Sequence, residues 1–129
     1  MGEKQINLTS AEWNVMECLW ESGSITGREA TEMLEVKMGW NRSTTLTLLR
    51  RLEEKGAISS NSEGTKKQFL PLISRDAAAI QETESFLERV YNGSVSMMLS
   101  AMTKKQALSK TEIDELYAML KDMEGGDKS

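Results

Sequence analysis

The chain has 129 residues, with 16 Lys and Arg against 20 Asp and Glu, a net charge of −4, one Cys, one Pro and no His. That length suits one domain or two small ones, because a single core of ordinary size takes roughly 100–150 residues. The absence of His removes the commonest general base and any imidazole-built zinc site, and one Cys makes neither an intrachain disulfide nor a Cys-rich metal site.

From the N-terminus, Met1 to Asn7 is polar, with no apolar core of signal-peptide length. No stretch approaches the ~20 apolar residues that would span a bilayer. A soluble, cytoplasmic chain is expected, without membrane insertion, metal or cofactor. Three capping boxes then mark helix starts: Thr9 with Glu12, Thr26 with Glu29, and Ser109 with Glu112. In each, a hydroxyl and a carboxylate three residues on satisfy free N–H groups of the first turn. The first helix is expected over about Ser10 to Trp20, with Trp13, Met16, Leu19 and Trp20 at helical spacing. A second, ending near Val36, buries Ala30, Met33 and Leu34. The third spans about Ser43 to Lys55, with Gly56 in the usual stop position.

Beyond Gly56 the pattern changes to two short β-compatible runs, Ala57–Ser60 and Gln68–Leu70, around a turn-rich stretch from Asn61 to Lys67. Three helices and a hairpin make a winged helix-turn-helix, assigned to residues 1–72. Residues 73–129 read as two amphipathic helices. In the first, Ile80, Phe86, Leu87, Val90, Met97, Met98 and Met102 recur at three- and four-residue steps. The second, from Thr111 to about Met123, carries Ile113, Leu116, Tyr117 and Leu120 on one face, ahead of a frayed polar tail from Glu124. A unit of this size rarely buries enough surface to be stable alone. It is therefore expected to be a dimerisation module, making the fold mainly α with a small β-hairpin wing.

The charge is unevenly spread. Thr9 to Glu35 carries one base and six acids, whereas Lys37 to Lys67 carries seven bases and three acids. The basic part is the third helix and the wing, the two pieces of a winged helix that approach DNA, and local charge on a docking face governs encounter with phosphate. Stepped at about 100° per residue, the third helix puts Thr45, Leu48, Leu49 and Leu52 on one side. Ser43, Thr44, Thr47, Arg50 and Arg51 fall on the other. Short hydroxyls followed by arginines suit a recognition helix in a major groove. Leu46, at the edge of that polar side, is either rim packing or an apolar base contact. Arg42, Lys66 and Lys67 are expected on phosphates.

Other residues take structural readings. Trp13, Trp20 and Trp40 are expected in the core and at junctions, Cys18 as a small buried residue, and the Met cluster as adaptable packing. No Gly-rich phosphate loop, nucleophile–base pair or paired-carboxylate motif is identifiable, so the chain is not expected to be an enzyme. Two rivals stay open beside a DNA-binding protein that docks through the third helix and wing. One is a winged-helix protein-interaction module without sequence-specific DNA binding. The other is a redox- or ligand-responsive regulator acting through Cys18 or a cavity between protomers.

Leu8–Met16 with Leu19-Trp20, then Thr44, Thr47-Leu48-Leu49, Arg51-Leu52 and Lys55-Gly56, resemble the penicillinase-repressor (BlaI/MecI/CopY-like) family in order and spacing. So do Ser85-Phe86-Leu87, Val90-Tyr91-Asn92-Gly93, Leu108-Ser109, Glu112-Ile113 and Glu115-Leu116. The similarity covers about residues 6–122. It implies a homodimeric repressor on a palindromic double-stranded DNA operator, adds Tyr91 to the dimerisation residues, and implies a membrane-bound, β-lactam-detecting sensor whose signal leads to cleavage of the repressor. Three departures stand out. The third helix opens Arg42-Ser43-Thr44 where penicillinase-type members usually have Pro-Lys-Thr, which bears on the operator sequence. The family's Asn-Phe cleavage site aligns with Ala101-Met102. The paired Cys-x-Cys motifs of the copper-responsive branch are missing.

Overall fold

In the computed structural model, residues 6–62, 66–105 and 108–126 are described. Glu63, Gly64 and Thr65 of the expected hairpin turn, and residues 127–129 of the polar tail, lie outside them. The order is α1 (Ser10–Ser22), β1 (Ile25–Thr26), α2 (Gly27–Met38), α3 (Arg42–Lys55), β2 (Ile58–Asn61), β3 (Gln68–Pro71), α4 (Arg75–Tyr91), α5 (Val95–Lys104) and α6 (Lys110–Gly126).

All three capping boxes form. The hydroxyls of Thr9, Thr26 and Ser109 accept from the N–H groups of Glu12, Glu29 and Glu112, and each carboxylate accepts from the cap residue's own N–H. The third helix starts one residue earlier than expected, because Asn41 is the cap: its Oδ1 accepts from the Thr44 N–H at 2.8 Å. It stops at Gly56, whose φ of 82° is left-handed and favours glycine.

The wing hairpin pairs Ile58 with Pro71, Ser59 with Leu70, Ser60 with Phe69 and Asn61 with Gln68. One strand was not foreseen. The two-residue β1 pairs Ile25 with Phe69 and Thr26 with Gln68, giving a three-stranded antiparallel sheet of order β1-β3-β2. Two residues carry no alternation to read, so this strand exists only through its partner.

The chain forms two compact units, Met1–Glu84 and Ser85–Ser129. The first therefore runs on past residue 72 into the opening turns of α4, where Ala78 is buried. Its core joins α1, α2, α3 and the sheet through Met16, Leu19, Leu34, Leu49, Leu52 and Ile58, all nearly or fully removed from solvent.

The expected long helix through Met102 is two helices. The stripe keeps its spacing across Asn92-Gly93, but both residues adopt positive φ, 52° and 85°, and end α4. Asn and Gly are the residues that enter this region at least cost. Ser94 then caps α5, accepting from the Met97 N–H at 3.2 Å. The residues assigned to dimerisation thus lie on three helices: Phe86, Leu87, Val90 and Tyr91 on α4, Met97 and Met98 on α5, and Ile113, Leu116 and Leu120 on α6. The last helix also extends through Gly126, into the stretch expected to fray. Among the described residues of this unit no side chain is buried.

Candidate nucleic-acid interface

The third helix divides as its sequence requires. Thr45, Leu48, Leu49 and Leu52 are buried, while Arg42, Ser43, Thr44, Arg50 and Arg51 are exposed and Thr47 is half-buried. Leu46 packs against the core, with its Cδ2 only 3.6 Å from where a Cβ on Gly27 would stand. Its ambiguity is thereby resolved toward rim packing.

The outward residues fall on two edges of one face. At about 100° per residue, Thr47 lies near the middle, with Arg50 toward the wing and Thr44 and Arg51 on the far edge. Along the wing edge runs a groove of about 460 Å³ lined by Arg28, Leu46, Arg50, Lys66, Lys67 and Phe69 among others. The fold thus brings Arg50, Lys66 and Lys67 around one depression. Arg42, Ser43, Thr44, Thr47 and Arg51 lie outside it, along the exposed surface of α3.

The two wing lysines are held differently. The Lys67 ammonium is 3.9 Å from a Glu53 carboxylate oxygen and 5.3 Å above the Phe69 ring centroid. Glu53 is itself fixed by the Ser60 hydroxyl, which donates to it at 2.6 Å. These contacts lay Lys67 along the groove wall, whereas Lys66 is exposed at the wing's edge. The acids Glu29, Glu32 and Glu35 are exposed on α2.

Arg28 is the residue that sequence reasoning missed. It appeared as one base in an acidic segment, yet it occupies the first turn of α2 and lines the same groove as Arg50. Its partner Glu32 lies at 3.5 Å, and with side-chain exposures of 83% and 64% such a pair is weak enough to yield to a phosphate. The available signal was the Thr26 capping box, which puts position 28 at the helix's positive end, near the wing root.

A surface of short hydroxyls and arginines flanked by a basic groove is built for a polyanion with readable edges. Residues 8–122 match the family profile described as Penicillinase repressor. The chain belongs to the penicillinase repressor family. It is 33% identical over 115 residues to the Penicillinase repressor of Bacillus licheniformis, covering 89% of this chain and 90% of that one. It is 28% identical over 120 residues to the Methicillin resistance regulatory protein MecI of Mammaliicoccus sciuri, covering 93% and 98%. Among solved structures, it matches the Bacillus licheniformis BlaI monomeric form in complex with the blaP half-operator at a TM-score of 0.52. That match has 31% identity and covers 57% of this chain and 90% of that one.

This member of the penicillinase repressor family is a DNA-binding repressor with a winged-helix reading unit, not an enzyme. Among the described residues no helix is long and apolar enough to cross a membrane. Cys18 is 2% exposed, and burial pushes its thiol above the usual range. A thiolate is the reactive form, so this environment is that of a packing residue. Ala101 and Met102 both lie within α5.

Proposed function

We propose that this chain is a cytoplasmic homodimeric transcriptional repressor that occupies a palindromic operator through α3 and the wing of each protomer. The observation that carries the reading is the division of α3, with Thr45, Leu48, Leu49 and Leu52 buried and Arg42, Ser43, Thr44, Arg50 and Arg51 outward beside a basic groove. The likeness to a repressor solved on its half-operator supports the same docking. Thr47 and Arg51, on the exposed side of α3, read base edges, together with Ser43 and Thr44. Arg42, Lys66 and Lys67 hold phosphates, with Arg50 between these roles. Residues 85–129 hold two copies together, so half-sites are centred about one helical turn, or a multiple of it, apart.

Release from the operator is assigned to cleavage in that second unit, prompted by a membrane-bound sensor protease. The bond to be cut, Ala101–Met102, lies inside a helix. A protease that binds extended backbone must first open α5. Mass spectrometry of the intact chain from cells exposed to a β-lactam tests this step, and an uncut chain under inducing conditions overturns it.

A gel-shift assay with DNA from the gene's own promoter region tests the main reading. A salt-sensitive shift at micromolar protein is expected. Replacing Thr47 or Arg51 should change which bases are preferred, whereas replacing Lys66 should weaken binding to every sequence and flatten the salt dependence. No shift at all would favour the protein-interaction module.

A further inference from the structure

At the base of α4, two tryptophans, an arginine and a carboxylate form a cluster that DNA contact does not use. The Arg75 guanidinium donates through Nε and Nη2 to the two carboxylate oxygens of Glu17, at 3.0 and 3.1 Å. The Trp13 indole N–H donates to the same carboxylate at 3.0 Å, and the guanidinium sits 5.7 Å from the Trp13 ring centroid. Trp13 meets Trp20 edge-on at 5.0 Å, and the Trp20 indole N–H donates to the Ile73 carbonyl at 2.8 Å. The contacts of Arg75 and Ile73 join α1 to the first residue of α4 and to the link into it, while the Trp13–Glu17 and Trp13–Trp20 contacts lie within α1 and brace its side of the cluster.

Two features argue that the cluster's task is geometric. The pair is partly exposed, 54% for the Arg75 side chain and 28% for Glu17, so its contribution to stability is small. A bidentate guanidinium–carboxylate pair nevertheless fixes direction, because both groups are planar and meet in one orientation. Arg75 is also a cation in the first position of a helix, where the macrodipole disfavours it. Helix formation alone would not select it there.

The link between β3 and α4 is only Leu72 to Ser74. A short link leaves rotation about a few backbone dihedrals as the freedom by which α4 can swing, and contacts to Ile73 and Arg75 remove it. α4 is continuous to Tyr91, so its first turns belong to the reading unit and its last to the second unit. We propose that Glu17, Trp13, Trp20 and Arg75 form a positioning latch that sets the direction in which α4 leaves the reading unit, and so sets the half-site spacing that a dimer accepts. This rests on the dimeric repressor reading above.

The test uses a palindromic duplex selected from random sequence by the full-length wild-type chain, variants of it with inserted or deleted central base pairs, and its isolated half-site. Arg75→Ala and Glu17→Gln should leave half-site affinity within about twofold. They should weaken the full duplex about tenfold and flatten the preference among spacers, as two tethered modules do when held in less defined geometry. The charge swap Glu17→Arg with Arg75→Glu should restore the spacer preference. Unchanged spacer preference in all variants overturns the latch. So does a fall in half-site affinity equal to that in the full duplex, since that is the signature of a damaged reading unit. Failure of the wild-type chain to select any duplex overturns the repressor reading instead.

Discussion

The ammonium of Lys55 lies 2.6 Å from the carboxylate of Glu12, joining the last residue of the recognition helix to the first turn of α1. Lys55 also donates to the Asn7 carbonyl, and the Glu12 carboxylate accepts from the Thr9 N–H at 2.8 Å. Glu12 is 1% exposed, so removing its cation strands a buried charge. Lys55→Met should therefore cost on the order of 3 kcal/mol. Glu12→Gln should cost less, about 1–2 kcal/mol, because the amide still accepts from Thr9 and the lysine reaches water. Urea denaturation of both single variants and the double variant gives the coupling directly, and additive losses would mean the pair does not act as one unit.

Acid should act through the same carboxyl and through Glu17. Burial pushes the Glu12 carboxyl up, but the hydrogen bond and charge of Lys55 and the Thr9 N–H outweigh it and hold it below the usual range. For Glu17 the hydrogen bonds from Arg75 lead in lowering it. Both groups bind a proton less readily folded than unfolded. Their stabilisation is thus complete above the ordinary carboxylate value of about 4.3 and is lost as pH falls through the lower folded values. Melting temperatures recorded from neutral pH downward should fall more gently for Glu12→Gln and Glu17→Gln than for the wild type. Parallel curves would contradict this assignment.

Thr45 is fully buried on α3, and among the described side chains its hydroxyl is a buried polar atom without a hydrogen-bond partner. Burying a hydroxyl without a partner costs free energy, whereas a methyl of the same shape does not. Thr45→Val should stabilise the chain by about 1 kcal/mol in a denaturant titration and leave DNA affinity unchanged, because the residue faces the core.

Much of the reading unit was legible because its signals are local. A capping box is four residues long, and the three read as helix starts, at Thr9, Thr26 and Ser109, all form. The polar and apolar sides of α3 follow from a 100° step, and every residue assigned to the core side is buried. Features that depend on a distant partner were not legible. β1 is a strand only because Phe69 and Gln68 lie beside it. Arg28 joins the basic groove only because α2 starts at the wing root. The break at Asn92-Gly93 had a local signal, but an apolar spacing that stays in step across it read as one helix.

Arg28 carries the first of the DNA-binding predictions. It faces the groove with Arg50, Lys66 and Lys67, and its tie to Glu32 is solvent-screened. A phosphate-contacting arginine supplies affinity without sequence preference. Arg28→Ala should weaken binding to all duplexes by a similar factor and lower the slope of log affinity against log salt by about 1. A change confined to particular base pairs would place Arg28 on base edges instead.

The second unit carries the last. Phe86, Val90, Met97, Tyr117 and Leu120 are 41%, 46%, 57%, 67% and 54% exposed within a single chain. Covering several such half-exposed side chains against a second copy would take their remaining apolar area out of water, which is the driving force this surface offers for association. Phe86 packs its ring edge-on to Tyr91 at 5.9 Å, which holds one broad aromatic surface on α4 in place before any partner arrives. Phe86→Glu combined with Leu120→Glu should convert a dimer to a monomer in sedimentation velocity. Binding to an isolated half-site should persist, because the reading unit has its own core, while the gain from joining two half-sites should vanish. A wild-type chain that sediments as a monomer at micromolar concentration would show that these residues have another use.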